Sequence, residues 1–261
     1  MPRIKLRPDN LNQRNAEFSQ TPLKQPVFLN SIPKSGSHLL RNIMRMFVPL
    51  KQHFKSGFIQ LPSMQNDHVA WDKDKPTLSW GHLVYKDNSA ILLKDTRKVL
   101  LVRDPYDWVL ARARFFMSEE FDGAVGHVSG HNVTAEQFLN LMVYGIFQKV
   151  PSLEQIYTHN GVAWMHTDTL VLKFEDLLQA VKNLDTPEAE AFFHKLLDHC
   201  GIVMPEDWRE RVRIGSDKRQ SGTARENLTD IRMVLPTELP EGQKQLIELA
   251  VPGLRKVLGY E

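Results

Sequence analysis

The sequence predicts an α/β fold, a single domain in which a central parallel β-sheet is flanked by helices. Three observations predict it. Short apolar runs at Val27–Leu29, Val99–Val102 and Leu170–Leu172 each lead through a polar turn into apolar residues at helical spacing. Repeated units in which a strand feeds a helix imply parallel pairing with right-handed crossovers. No internal repeat, low-complexity tract or linker interrupts the 261 residues, a length suited to one large domain.

The elements follow in order. Residues 1–25 read as a polar N-terminal arm and residues 26–261 as the domain. After Val27–Leu29 comes a turn rich in Pro, Ser and Gly, then Leu39, Leu40, Ile43, Met44 and Phe47 at helical spacing. The second unit runs from Val99–Val102 through Arg103-Asp104-Pro105 into a helix carrying Trp108, Val109, Ala111 and Phe115. Pro105 suits the first helical turn, where its missing amide would be unpaired in any case. The third passes from Leu170–Leu172 through Lys173 and Phe174 to Glu175-Asp176 and another helix. Further helices are expected at about 135–149 and 189–200. The Gly-rich stretch 123–133 reads as an exposed loop, and 215–227 as irregular.

Composition narrows the class. With 42% hydrophobic and 25% charged residues, the chain matches a globular protein with a sizeable core. Its 33 Lys and Arg stand against 31 Asp and Glu, a balance that neither demands nor excludes a polyanionic partner. Cys200 is the one cysteine, so no internal disulfide forms and a reducing compartment is expected. The arm lacks the apolar core of a signal peptide, and no run reaches the length of a membrane span. The expected location is cytoplasmic, with no nucleic-acid partner; a homo-oligomer is compatible with the sequence.

Chemistry concentrates at strand ends. Pro33-Lys34-Ser35-Gly36-Ser37-His38-Leu39 lies between a strand and a helix, where successive backbone amides and the positive helix end can face one phosphate. Gly36 lets the backbone approach an anion, Ser35 and Ser37 add hydroxyl donors, and Lys34 adds a point charge. The stretch lacks the G-x-x-x-x-G-K-[ST] pattern, so it is not a Walker loop. An ordinary Ser-capped turn would explain Gly36 and Ser37 but leave Lys34 without a task. Arg103 ends its strand on the edge where parallel sheets gather ligands, and its planar guanidinium suits a second phosphate. The plainer alternative for Arg103 is a surface salt bridge to Asp104 or Asp107. His82, in Trp80-Gly81-His82-Leu83, can be a structural hydrogen-bonding residue or, with a pKa near neutrality, a general base. His127 and His131 are four apart in a Gly-rich loop and do not share a helical face, so no metal site is read there.

These motifs, taken together, resemble those of sulfotransferases. Residues 33–40 are similar to the family's 5′-phosphosulfate loop, and Val102-Arg103-Asp104-Pro105 with its helix resembles the 3′-phosphate element. Trp80-Gly81-His82 falls where the family carries its catalytic histidine. Lys173-Phe174-Glu175-Asp176-Leu177 resembles its Tyr-Glu-Asp-Leu stretch, and 254–260 looks like the end of many bacterial members. The ordered series spans roughly residues 26 to 260. It implies a P-loop-like sulfotransferase architecture and 3′-phosphoadenosine 5′-phosphosulfate as donor, leaving adenosine 3′,5′-bisphosphate, with no metal required. It further implies catalytic roles for Lys34 and His82, and donor binding by Pro33, Lys34, Ser35, Gly36, Ser37, His38, Leu39 and Arg103. Arg219, Gly222 and Arg225 stand, by a loose match, for the family's final Arg-Lys-Gly phosphate segment. The sequence departs from the pattern at Ala111, where the family usually has serine, and at Phe174, where it has tyrosine. The acceptor would be a hydroxyl-bearing small molecule, glycan or lipid. Two other readings stand beside this one: a catalytically idle module that binds the bisphosphate, and a P-loop phosphotransferase.

Overall fold

The computed structural model describes residues 3–4, 8–61, 63–64, 66–122, 125–128, 133–221, 224, 228 and 233–261. Seven strands occur among them: β1 (Arg3–Ile4), β2 (Val27–Ser31), β3 (His53–Gln60), β4 (Leu78–His82), β5 (Arg97–Val102), β6 (Phe121–Asp122) and β7 (Thr169–Lys173). β1 and β6 form a short antiparallel pair. The other five make one all-parallel sheet in the order β3-β4-β2-β5-β7.

The helices are α1 (Leu11–Asn15), α2 (Ser37–Arg45), α3 (Asp87–Leu92), α4 (Pro105–Phe116), α5 (Ala135–Tyr144), α6 (Leu153–Asn160), α7 (Phe174–Lys182), α8 (Pro187–His199), α9 (Trp208–Ser216), α10 (Glu241–Ala250) and α11 (Leu254–Val257). Among the described residues no helix is long and apolar enough to cross a membrane.

Every residue of β2 is buried, as suits a central parallel strand covered on both faces. Alternation then sorts the side chains. Val27, Leu29, Val99 and Leu101 join Leu40, Ile43, Phe193 and Trp208 in one core cluster. Phe28, Leu100 and Val102 join Trp108, Phe138 and Trp164 in the other. The sheet is thus sandwiched between two helical layers.

Three strand–helix units are where the sequence placed them, and two more strands, β3 and β4, complete the sheet on one side. The helix expected to reach Lys149 stops at Tyr144. Gly145 has φ 87°, and a β-carbon there would lie 2.6 Å from the Val150 carbonyl oxygen, because Ile146 and Val150 close a tight turn. The segment read as irregular begins inside α9, and Lys218–Gln220 forms a 3-10 turn. Of the expected loop at 123–133, residues 126–128 form a 3-10 turn, and 123, 124 and 129–132 lie outside the described residues.

The topology fixes where a ligand can sit. The crossover from β2 runs outward to edge strand β3, whereas the later ones run back through β4 to β5 and β7. In open parallel sheets the crevice lies at this reversal, outside the strand carboxyl ends. Ser31, His82, Val102 and Lys173 stand at those ends.

Candidate active site

The turn after β2 is built from two left-handed residues, Lys34 at φ 69° and Gly36 at φ 89°. Between them Ser35 is fully buried. Alternation of this kind turns successive amides toward one side and makes an anion-binding concavity. α2 begins at Ser37, and its first bond here is from Leu40 N–H to the Gly36 carbonyl at 3.1 Å, so the preceding first-turn amides lie outside the intrahelical ladder. The turn's carbonyls are held from behind. Trp108 Nε1 donates to the Pro33 carbonyl, and Arg103 Nη1 to the Lys34 carbonyl at 3.3 Å. A β-carbon at Gly36 would lie 2.4 Å from the Phe174 ring, so a larger residue fits only if the ring shifts.

His82 ends β4 beside this turn. Its Nδ1 lies 2.8 Å from the Ser31 carbonyl oxygen, which can only accept, so Nδ1 carries the proton and Nε2 keeps its lone pair. Ser31 Oγ lies 3.1 Å from the same Nδ1 and donates to Ser37 Oγ at 2.8 Å, linking three elements. Burial pushes the His82 pKa down to about 4; the Ser31 carbonyl opposes the shift and the Lys34 charge adds to it. The ring is therefore neutral near pH 7, with Nε2 unprotonated but less basic than an ordinary imidazole.

Two basic side chains complete the arrangement, neither with a carboxylate partner among the described residues. Lys34 Nζ sits 3.0 Å from the centre of the Phe115 ring, and burial, then Arg103, lowers its pKa to about 7. The Arg103 guanidinium lies 4.6 Å from the Phe174 ring centre. The salt bridge to Asp104 does not form, because Asp104 is held by Arg255 at 2.8 Å and caps α4 through the Tyr106 amide at 2.9 Å. Arg103 Nε and Ser35 Oγ are buried without hydrogen-bond partners among the described residues. Orphaned donors beside two unpaired cations fit a polyanion.

The structure thus brings Pro33, Lys34, Ser35, Gly36, Ser37, His38 and Leu39 together with His82 and Arg103 along the ends of β2, β4 and β5. His38 packs edge-on against Trp80 at 5.0 Å, and burial lowers its pKa to about 3. Arg219 is exposed and pairs with Asp217 at 2.6 Å, in a turn whose Gln220 carbonyl accepts from Asn42 of α2 at 3.2 Å. Gly222 and Arg225 lie outside the described residues. Ala111 lies on α4, half-buried.

Sequence reasoning missed Ser31, which orients His82, and Trp108 and Phe115, which had read as helix core. Only Ser31 carried a signal, a hydroxyl two residues past the apolar run at a strand's carboxyl end.

No sequence-family model and no curated protein sequence matches the chain. Solved structures do. A mouse sulfotransferase, SULT7A1, complexed with PAP aligns over 97% of this chain and 94% of its own, at 14% identity and a TM-score of 0.53. A retinol dehydratase in complex with androsterone and the inactive cofactor PAP aligns over 95% and 83%, at 13% identity and a TM-score of 0.56. The same enzyme with retinol and PAP aligns over 96% and 83%, at 13% identity and a TM-score of 0.50. With the strand order and the strand-end turn already in place, this likeness along nearly the whole chain shows that the protein has the sulfotransferase fold.

Proposed function

We propose that the protein is a cytoplasmic sulfotransferase that moves the sulfuryl group of 3′-phosphoadenosine 5′-phosphosulfate onto a hydroxyl acceptor. The observation that carries this reading is the convergence on one strand-end turn of Lys34 and Arg103, neither ion-paired among the described residues, and of His82, whose proton sits on Nδ1. PAP in the structural neighbours supports the donor class, and androsterone and retinol in the retinol dehydratase complexes support a small-molecule acceptor.

In this reading the acceptor oxygen attacks sulfur in line with the leaving 5′-phosphate oxygen. His82 Nε2 takes the hydroxyl proton as the new S–O bond forms. Lys34 and the loop amides stabilise the charge that develops on the departing phosphate. Arg103 holds the 3′-phosphate, and Arg219, Gly222 and Arg225 are candidates for further contacts to it. The donor's charge is assigned wholly to these groups, so the mechanism requires no metal.

Calorimetry with adenosine 3′,5′-bisphosphate and adenosine 5′-phosphate tests the donor site. The 3′-phosphate should strengthen binding by roughly 10-fold or more, the worth of one charge-assisted contact. Equal affinities would overturn the Arg103 assignment. Labelled donor with a pooled acceptor set, read by mass spectrometry, tests transfer, and a folded His82→Asn variant should bind the bisphosphate yet fail to sulfate an aliphatic alcohol. Ala111 in place of the family's serine favours the second reading, an idle bisphosphate-binding module. Binding with no sulfated product from any acceptor would establish it.

A further inference from the structure

β3 leaves the sheet midway. It pairs with β4 at His53↔Leu78 and again at Phe58↔Trp80, so residues 54–57 stand opposite Ser79 alone. This excursion opens a cavity of about 310 Å³ beneath α2, at the small end of the range for ligand pockets. Its walls include Phe54, Leu78 and Trp80 on the apolar side and Arg41, His53 and Lys55 on the polar side. Among the described residues that line it there is no carboxylate.

Arg41 is the unusual member. Its guanidinium lies 4.7 Å from the Trp80 ring centre, and among the described residues it has neither a hydrogen bond nor an ion pair. Arg45, one turn on, shows what satisfaction looks like here. It holds both Asp9 oxygens at 2.8 and 3.0 Å and Asn12 Oδ1 at 2.7 Å. That commits both Asp9 oxygens, and His53 Nε2 lies 2.8 Å from the Val48 carbonyl oxygen. Burial, followed by the charge of Arg45, lowers the Arg41 pKa to about 10, and the Asp9 carboxylate partly opposes the shift. A half-buried guanidinium stacked on an indole and lacking a carboxylate partner among the described residues is suited to meet an anion.

We propose that this cavity binds a small organic anion, its carboxylate or sulfonate group on Arg41 and its apolar body against Trp80, Leu78 and Phe54. The site is separate from the donor turn and stands whether or not the chain transfers sulfate. Its Trp80 wall also touches the donor turn. Trp80 packs edge-on against His38 and Phe58, each at 5.0 Å, and Phe58 packs against His82 at 4.7 Å.

The test is calorimetric titration with naphthalene-2-sulfonate, whose flat body and single negative charge match the cavity, and with the uncharged naphthalene-2-sulfonamide. The sulfonate should bind the parent protein and Lys34→Met alike, and saturating adenosine 3′,5′-bisphosphate should not displace it. Arg41→Met should weaken it roughly 10- to 100-fold, and the sulfonamide should be weaker than the sulfonate by a similar factor. Lys55→Glu, on the exposed rim, sets a carboxylate against the bound anion without touching the core and carries the test if Arg41→Met does not fold. The proposal is overturned if the parent shows no binding at millimolar sulfonate or if either folded variant binds like the parent. Loss of binding in Lys34→Met, or displacement by the bisphosphate, overturns it too, because the probe would then sit at the donor turn.

Discussion

Lys34 is held in a state that a bound anion would reverse. Burial beside Phe115, helped by Arg103, lowers its pKa from 10.5 to about 7, so near pH 8 the unliganded amine is mostly neutral. Because the folded value lies below the unfolded one, the unfolded chain binds more protons between those two pH values. The unliganded fold therefore gains stability from this group as pH rises through that window. A polyanionic nucleotide favours the ammonium, so binding near pH 8 should take up on the order of one proton. Calorimetry in buffers of different ionisation enthalpy measures this directly. The uptake should fade toward pH 6 or so and vanish in Lys34→Met, whose transfer rate should also fall about 10²- to 10³-fold. A buffer-independent enthalpy near pH 8 would contradict the assignment.

Among elements, the strand-end turn packs closely against α2 and α7. Gly36 has φ 89° and faces the Phe174 ring, so Gly36→Ala brings both a left-handed alanine and a β-carbon 2.4 Å from an aromatic carbon. The expected loss is about 1 to 3 kcal/mol, seen as a lower urea midpoint. Phe174→Ala removes the clash but not the backbone strain, so the double variant should lose clearly less than the sum of the two singles. Additive losses would mean that the ring yields freely and does not set the turn. Much of this junction was legible beforehand. Proline, glycine and serine between an apolar run and a helical pattern mark such a turn, and Arg103-Asp104-Pro105 announces both a strand end and a helix start. β3 was not legible, because its residues alternate poorly and it breaks from the ladder between His53 and Phe58. The early stop of α5 was hidden too, since it rests on Gly145 meeting the turn at Val150, a contact that helical spacing cannot encode.

At the scale of the whole molecule, the carboxyl-terminal residues close the sheet edge that presents Arg103. Arg255 on α11 binds Asp104 at 2.8 Å and stacks 4.2 Å from the Tyr106 ring centre. Tyr260 donates to Glu175 at 2.6 Å, and Glu175 in turn accepts the Asp104 amide at 3.1 Å. Burial, reinforced by Glu175, raises the Tyr260 pKa far above its usual value, so the phenol stays a donor at neutral pH. Residues 254–260 had been read only as a family-like ending; the ion pair between residues 151 positions apart was invisible without the fold. Asp104 and Arg255 are both mostly shielded, and Asp104 also caps α4. Arg255→Met should therefore cost about 1.5 to 3 kcal/mol, the range for a hydrogen bond to a charged group. In a chain of this size that lowers the melting temperature by roughly 3 to 12 °C. The pair acts as a unit, so Asp104→Asn with Arg255→Met should lose less than the two single losses combined. The bisphosphate should still bind the folded variant, but more weakly, since the residue before Asp104 is the proposed 3′-phosphate ligand. Unaltered melting would show the clamp to be idle, and unaltered affinity would show that it stabilises the fold without holding Arg103 in place.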